Sequence, residues 1–125
     1  MQKKHPSILS LSRQGLPSVR SEYTKENQCA KGGYVLKGDD NAKVTLIASG
    51  SEVEIALNAQ AQLAEKGITA KVVSLPCWEL FEQQSESYRQ QVLGDGLRVG
   101  IEAAIGFGWE RYLGKDGIFV GMNSF

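Results

Sequence analysis

The sequence predicts an α/β fold: a three-layer α/β/α sandwich around a mostly parallel five-stranded sheet that includes one antiparallel strand. From residue 33 onward, short apolar runs rich in Val, Ile and Leu alternate with stretches whose apolar residues recur at helical spacing. This alternation is typical of βαβ units, in which right-handed crossovers join parallel strands. The chain has 125 residues, which is enough for one domain with a hydrophobic core of its own.

The beginning of the chain has a different character. Residues 6–12 (PSILSLS) place Ile8, Leu9 and Leu11 among small polar residues, and this pattern predicts a strand. Residues 13–33 are polar and interrupted by glycine and proline, which is typical of a linker or an extended loop. A loop of this length is unusual inside one compact domain. The sequence therefore predicts a boundary, with the first strand belonging to one body and the rest of the chain to another.

The regular pattern begins with two closely spaced strands. Residues 33–40 (GYVLKGDD) form a short apolar run that ends in turn residues, and residues 44–49 form a second apolar run. We predict that the two strands pair as a hairpin with GDDNA (residues 38–42) at its tip. This hairpin would supply the antiparallel strand of the sheet.

A helix over about residues 52–66 follows. Its predicted N-cap is Ser49 or Ser51, whose hydroxyl oxygen would accept a hydrogen bond from a free N–H of the first turn. Gly67 is the predicted C-cap. One face of this helix is largely apolar, and it comprises Val53, Ala56, Leu57, Gln60, Leu63 and Ala64.

The remaining elements continue the alternation of strands and helices. Ser85 is predicted to cap the second part of a helical stretch. The segments are, in order, a strand at 68–76, the helical stretch at 77–94, a strand at 97–104, one or two helical turns at 106–114 and a strand at 117–122.

Composition and charge argue against several classes of function. The formal net charge is zero and no basic patch stands out, so nucleic acid is not an expected partner. No apolar run approaches the ~18 residues of a membrane span, and the first residues lack the apolar core of a signal peptide. Cys29 and Cys77 lie in no C-x-x-C motif and His5 is the only histidine, so no zinc site is expected. Free thiols without an export signal predict a cytoplasmic location.

The segment ASGSEVE (residues 48–54) joins a strand through Gly50 to a helix, an arrangement found in many phosphate-binding sites. It lacks both the G-x-G-x-x-G of a dinucleotide site and the lysine of a P-loop. Glu52 and Glu54 suit the positive end of the helix dipole, and they would repel a phosphate. We therefore interpret the segment as a capped crossover helix rather than a phosphate site.

Two other residues are candidates for a functional site. Glu102 ends a predicted strand, and open α/β sheets bind ligands at the carboxyl ends of their strands, so Glu102 is a candidate to face a ligand or a subunit. Arg13 follows a predicted strand, and a guanidinium suits bidentate contact with phosphate, although its position by itself favours a solvated side chain. The aromatic residues predicted to be core or interface anchors rather than binding stackers are Trp78, Phe81, Phe107 and Trp109.

Several motifs occur in the order and at the approximate spacing of one enzyme family. They are LSRQGLPSV, KGGYVL, IASGSEVEIALNAQAQLAEKGITAKVVSLPCWELFEQQSESYRQQVL and FGWERYLGKDGIFVGMNSF, and together they cover nearly all of the chain. On these motifs the chain resembles the C-terminal part of transketolase.

The resemblance implies a place in a larger enzyme. Transketolases transfer a two-carbon ketol unit between sugar phosphates, use thiamine diphosphate and a divalent metal (Mg or Ca), and are expected to be homodimers. The resemblance places residues 1–32 at the end of the pyrimidine-binding domain and in the linker, and residues 33–125 in the C-terminal α/β domain, whose role is mostly structural. The family continues past GMNSF with a small-residue stretch and a final helix, so this domain is expected to be truncated at its C-terminus, with apolar surface left uncovered.

The resemblance also implies roles for residues and partners. The arginine of the family's SRQ motif contacts the phosphate of the substrate, and it corresponds to Arg13. The family's metal ligands, diphosphate-binding motif, cofactor-activating glutamate and catalytic histidines lie upstream. No catalytic, cofactor-binding or metal-binding residue is therefore expected in this chain, which should be inactive alone. Its expected partners are the remaining transketolase domains, or a separate N-terminal subunit, and sugar phosphate substrates.

Two alternatives stay open. Within the transketolase interpretation, the chain is either an excised domain or one chain of a split enzyme. In a different class of function, it is a freestanding regulatory or small-ligand-binding α/β module that uses the strand-end cleft near Gly50 and Glu102.

Overall fold

The computed structural model describes residue 6 and residues 8–124, and within this part of the chain it contains one five-stranded sheet and four α-helices. A short 3-10 turn at Gln28–Lys31 precedes the first strand. No helix among these residues has both the length and the apolar character that crossing a membrane requires. The strands are β1 (Tyr34–Lys37), β2 (Val44–Ala48), β3 (Ala70–Ser74), β4 (Leu97–Ile101) and β5 (Ile118–Val120). The helices are α1 (Glu52–Glu65), α2 (Trp78–Glu82), α3 (Glu86–Leu93) and α4 (Glu110–Leu113).

The sheet has the order β1-β3-β2-β4-β5. β1 runs antiparallel to β3, and the other three pairings are parallel, which confirms the predicted sheet. The predicted hairpin is wrong, because β1 pairs with β3, placing Tyr34 opposite Ser74, and not with β2. Both edges of β2 are occupied by β3 and β4. The segment after β1 crosses the start of β3, where a Cβ added at Gly38 would lie 2.7 Å from Lys71 Cα.

The two faces of the sheet form two separate cores, and the predicted three-layer arrangement is confirmed. On one face, Leu46 and Ala48 of β2 pack with Val53 of α1. On the other, Ile47 of β2 packs in the core that includes Phe81 of α2 and residues of α3 and α4. All five side chains are at most 5% exposed. β2 is thus buried on both faces, as a central strand of a parallel sheet must be.

The helix ends follow the predictions in part. Ser85 Oγ accepts a hydrogen bond from the backbone N–H of Tyr88 over 3.2 Å and caps α3 as predicted. Gly67 lies just beyond the last turn of α1 with φ +73°, and its N–H donates to an α1 carbonyl. The predicted hydroxyl cap of α1 is wrong. Ser51 occupies the N-cap position, but its side chain makes no capping hydrogen bond. The Ser49 hydroxyl donates instead to Glu102, which follows β4.

No strand forms at the beginning of the described chain. Residues 8–12 have no strand conformation, and Ile8 and Leu11 are 96% and 79% exposed. The described residues between 6 and 12 thus form no strand in this structure, because a strand without a neighbouring strand is not stable by itself. That this segment is a strand of another body stays a prediction.

One part of the sheet has no helix over it. Phe119 contacts Trp109 on the side of α4, so its neighbours Ile118 and Val120 point to the α1 side. They are 50% and 54% exposed, and Leu97 of β4 is 41% exposed. An apolar groove of about 460 Å³ lies between α1 and β4. In the described chain, the α1 side of β4 and β5 is thus open.

Candidate functional site at the ends of the strands

The chain leaves β2 and β4 toward opposite faces of the sheet. It passes from β2 through α1 to β3, and from β4 through α4 to β5. The carboxyl ends of these two neighbouring strands therefore border the type of crevice in which open α/β sheets bind ligands. The residues that follow the strands at this strand-end cleft are Ser49–Ser51 and Glu102–Ala103.

Ser49 and Glu102 are hydrogen-bonded to each other across the cleft. Ser49 Oγ donates to Glu102 Oε2 over 2.6 Å, and the backbone N–H of Ala103 donates to Glu102 Oε1 over 3.1 Å. Both carboxyl oxygens are thus engaged by the protein itself, and the bond joins the ends of β2 and β4. The structure places Glu102 at the predicted strand end, and its contact with a ligand or subunit stays a prediction.

The surroundings of Glu102 favour its protonated form. Burial raises the pKa of this carboxyl above its usual value, the bond from Ser49 lowers it, and the nearby acidic Glu52 raises it again, with a net upward shift. An anionic ligand in the cleft would be repelled by the carboxylates of Glu52 and Glu102 in the same way. The cleft is therefore a poor place for a negatively charged group.

The start of α1 carries acidic side chains. Glu52 and Glu54 lie in its first turn, and Ser51 Oγ donates to Glu52 Oε1 over 2.9 Å. These carboxyl groups occupy the positive end of the helix dipole. The segment therefore agrees with the predicted crossover helix and not with a phosphate site. The hydroxyl cap predicted for this helix is absent.

Arg13 directly follows Ser12, which lies near the loop after β2. The Arg13 side chain is exposed. A Cβ added at Gly50 would lie 3.7 Å from Ser12 Oγ, so the residue before Arg13 rests near the loop that follows β2. Further along, Leu16 and Val19 help to line a pocket of about 200 Å³ with residues of that loop and of α1. The structure thus brings Ser12, the residue before Arg13, near Gly50, a proximity that the sequence did not reveal.

The predicted aromatic anchors are mostly core residues. Trp78 meets Trp109 and Tyr112 edge-to-face, with ring centroids 5.4 and 5.1 Å apart. Phe81 and Trp109 are buried. Phe107 is 88% exposed and is therefore no core residue; its role at an interface stays a prediction.

A row of polar side chains below α3 was not predicted from the sequence. Thr45, Lys71 and Arg98 lie side by side on β2, β3 and β4. Thr45 Oγ1 and Lys71 Nζ each donate over 2.8 Å to carbonyl oxygens of the last turn of α3. Arg98 Nη2 donates to Gly94 O over 2.6 Å. These side chains thus bind carbonyl oxygens that have no partner within the helix. The sequence did contain a sign of this row, because Lys71 and Arg98 are charged residues in strands expected to be buried.

The described residues do not fit the diphosphate and metal that the resemblance implies for the complete enzyme. Among residues 6 and 8–124, no group of three or more His, Cys, Asp or Glu side chains is placed to hold a metal ion. The strand-end cleft presents carboxyl groups, which would repel a diphosphate. No chemical step of the cofactor is therefore assigned to these residues.

The chain is similar to transketolases over nearly its whole length. A family model described as "Transketolase-like TK C-terminal domain" matches residues 32–125. The chain is 54% identical to the transketolase of Sinorhizobium medicae, over 99% of this chain and 18% of the relative. It is 42% identical to the chloroplastic transketolase of Solanum tuberosum, over 100% of this chain and 17% of that protein. The chain thus spans about a fifth of the length of these relatives.

Solved transketolase structures have a similar fold. A transketolase variant from Pichia stipitis matches with a TM-score of 0.79 and 37% identity, over 90% of this chain and 16% of that chain. A split-gene transketolase, described as an inactive beta4 tetramer, matches with a TM-score of 0.64 and 25% identity, over 90% of this chain and 38% of that chain.

Proposed function

Because the chain belongs to the transketolase-like C-terminal domain family, we propose that it is the C-terminal part of a complete transketolase, which transfers a two-carbon ketol unit between sugar phosphates. The observation that carries this proposal is the 54% identity to one transketolase over 99% of the chain. Since the chain covers only 18% of that relative, activity requires the remaining domains. The resemblance to transketolases assigns the binding of thiamine diphosphate and the divalent metal to those domains.

The division of the chain is part of the same proposal. Residues 1–32 are the end of the pyrimidine-binding domain and the linker, and residues 33–125 are the C-terminal domain. The family match that begins at residue 32 and the first strand that begins at Tyr34 support this division.

The proposed partners are the upstream transketolase domains, in the same chain or in a separate N-terminal subunit, and the assembled enzyme is a homodimer. The similarity to a split-gene transketolase supports the two-subunit arrangement as one of these options. The cytoplasmic location stays a prediction, and the Solanum tuberosum relative is chloroplastic.

Arg13 is the proposed contact for the phosphate of the sugar substrate. Its exposed side chain is available to a ligand, and its planar guanidinium can donate two parallel hydrogen bonds to phosphate oxygens. The remainder of the phosphate pocket belongs to the upstream domains.

The alternative of a freestanding ligand-binding module has less support. Its cleft near Gly50 and Glu102 has the position of a ligand site. However, Ser49 and Ala103 already satisfy the Glu102 carboxyl oxygens, so a ligand would have to displace bonds within the protein.

The test is a chimeric enzyme. The matching C-terminal part of the Sinorhizobium medicae transketolase is replaced by this chain, and ketol transfer is measured with a ketose phosphate, an aldose phosphate, thiamine diphosphate and magnesium. We expect turnover by the chimera, none by this chain alone, and little by the relative without its C-terminal part. A correctly folded dimeric chimera without turnover, or turnover by this chain alone at the rate of the whole enzyme, would contradict the proposal.

A further inference from the structure

The linker comes into contact with the C-terminal domain beside Arg13. Upstream of it, Ile8 and Leu11 are 96% and 79% exposed, whereas downstream Leu16 and Val19 are 40% and 41% exposed. More than half of each downstream side chain is therefore covered. The change from an exposed to a partly covered chain falls around Arg13.

Gly50 lies next to Ser12, in this part of the linker. Its φ of +52° lies in the left-handed region, which favours glycine. A Cβ at this position would meet Ser12 Oγ at 3.7 Å and no other atom within 4 Å. This is an ordinary van der Waals distance, so a side chain that extends beyond Cβ toward Ser12 would compete with it for the same space.

The loop beneath Ser12 is held in place from two directions. Ser49 Oγ is bonded to Glu102 at the end of β4 over 2.6 Å, and Ser49 O accepts the backbone N–H of Glu52 over 3.1 Å as α1 begins. Gly50 follows directly after this doubly bonded residue. The loop is thus a rigid support rather than a free segment.

We infer that the loop Ser49–Ser51 positions Arg13 for the phosphate of the substrate. The loop contacts Ser12, and the backbone position of Ser12 determines where the side chain of Arg13 starts. In this way the C-terminal domain contributes to the choice of phosphorylated substrates without touching them. This inference rests on the proposed function of Arg13, and Gly50 is a positioning residue in it.

The test places a side chain between the loop and Ser12 in the chimeric enzyme. Gly50→Asn is suitable because asparagine tolerates a positive φ better than other residues with a side chain. Gly67→Asn is the matched control. Gly67 has φ +73° at the other end of α1, and a Cβ there would meet nothing within 4 Å, so this variant carries the backbone effect alone.

The expected result is a loss that depends on the substrate's phosphate. A misplacement of about 1 Å can cost up to about a hundredfold in rate, so we expect Gly50→Asn to lower kcat/KM for a phosphorylated ketose by roughly tenfold. Most of this loss should appear in KM. The same variant should lower kcat/KM for an unphosphorylated ketose by less than about threefold, and Gly67→Asn should leave both within about twofold of the parent enzyme.

An Arg13→Ala background separates the two proposals. If Gly50 acts through Arg13, Gly50→Asn should have little further effect on the phosphorylated substrate once the guanidinium is gone. An undiminished effect in that background, an equal loss for both substrates, or no loss at all would overturn the positioning role. If Arg13→Ala itself lowers kcat/KM equally for both substrates, the phosphate contact is wrong, and the positioning role falls with it.

A second experiment distinguishes a local contact with Ser12 from poor folding of the Gly50 variant. Ser12→Ala removes the hydroxyl that the new side chain would meet, and it changes only an exposed side chain. Combined with Gly50→Asn, it should restore part of the lost kcat/KM for the phosphorylated ketose. If the double variant is no better than Gly50→Asn in both kcat/KM and thermal stability, contact with Ser12 is not the cause of the loss, and the inference is wrong.

Discussion

Lys71 Nζ donates a hydrogen bond to the carbonyl oxygen of Gln91 over 2.8 Å, although the lysine side chain is only 1% exposed. Burial lowers the pKa of this ammonium, and Asp40 acts in the opposite direction. The Asp40 carboxylate is 3.8 Å away and largely exposed. The buried cation thus lies at the C-terminal end of α3, where the helix dipole favours positive charge.

Substitution of Lys71 should show that its stem matters more for stability than its charge. Lys71→Met keeps a long apolar side chain and removes the cost of a buried charge, so we expect the free energy of unfolding to change by less than about 1 kcal/mol. Lys71→Ala removes the packed stem and should lower it by about 2–4 kcal/mol. Urea unfolding of both variants checks this, with the exposed Lys66→Ala as control. Equal destabilisation by Met and Ala would show that the ammonium bond dominates.

The N-cap of α3 should contribute measurably to stability. Ser85→Ala removes the acceptor of the Tyr88 N–H and should lower the free energy of unfolding by about 1 kcal/mol. Ser87→Ala removes a hydroxyl that lies 3.1 Å from Ser85 Oγ but keeps the acceptor of the Tyr88 N–H, so it should have a smaller effect. Thermal and urea unfolding of the two variants give the comparison, and an equally small loss in both would mean that water replaces the cap.

Glu102 should make the stability of the domain depend on pH. Its pKa is raised in the folded state, mainly by burial, so the folded state holds the proton more tightly than the unfolded chain. Its contribution to stability is therefore complete below the ordinary pKa of a glutamate and is lost as the pH rises through the higher folded value. Glu102→Gln should lack this loss, so the stability difference between parent and variant should shift in favour of the variant as the pH rises from about 4 to 7.

The bond from Ser49 should be visible in the same titration. Ser49→Ala removes a donor that stabilises the charged form of Glu102, and the pKa of Glu102 should rise further. Carbon-detected NMR of the carboxyl group measures it directly. A fall in the pKa in this variant would show that the hydroxyl does not donate to the carboxylate.

Arg13→Ala in a complete enzyme should weaken the use of phosphorylated substrates. Loss of a charge-assisted hydrogen bond corresponds to roughly a ten- to hundredfold fall in kcat/KM, and an unphosphorylated substrate should lose much less. Arg13→Lys should recover only part of the activity, because one ammonium cannot reproduce the two parallel bonds of a guanidinium. Binding of thiamine diphosphate, measured by fluorescence titration, should be unchanged. Full recovery by lysine would mean that charge alone is needed.

Local patterns in the sequence determined which segments form strands and helices. The helix at 52–66, the capping role of Ser85 and the turn at Gly67 were predicted correctly because each depends on residues within one or two turns of one another. The central strand at 44–48 was found because a strand buried on both faces is a continuous apolar run. The motifs that resemble transketolase likewise need only the order of the residues.

The tertiary structure alone decided which distant groups meet. β1 had the pattern of a strand, but the pattern did not reveal its partner. Because β3 and β4 occupy both edges of β2, β1 pairs with β3. Ser49 was a plausible helix cap, yet its hydroxyl is bonded to Glu102, 53 residues away. The nearness of Gly50 to Ser12 and the position of Lys71 beneath α3 have the same origin. Periodicity records how each segment is buried, whereas hydrogen bonds between segments depend on a sheet order that no single segment contains.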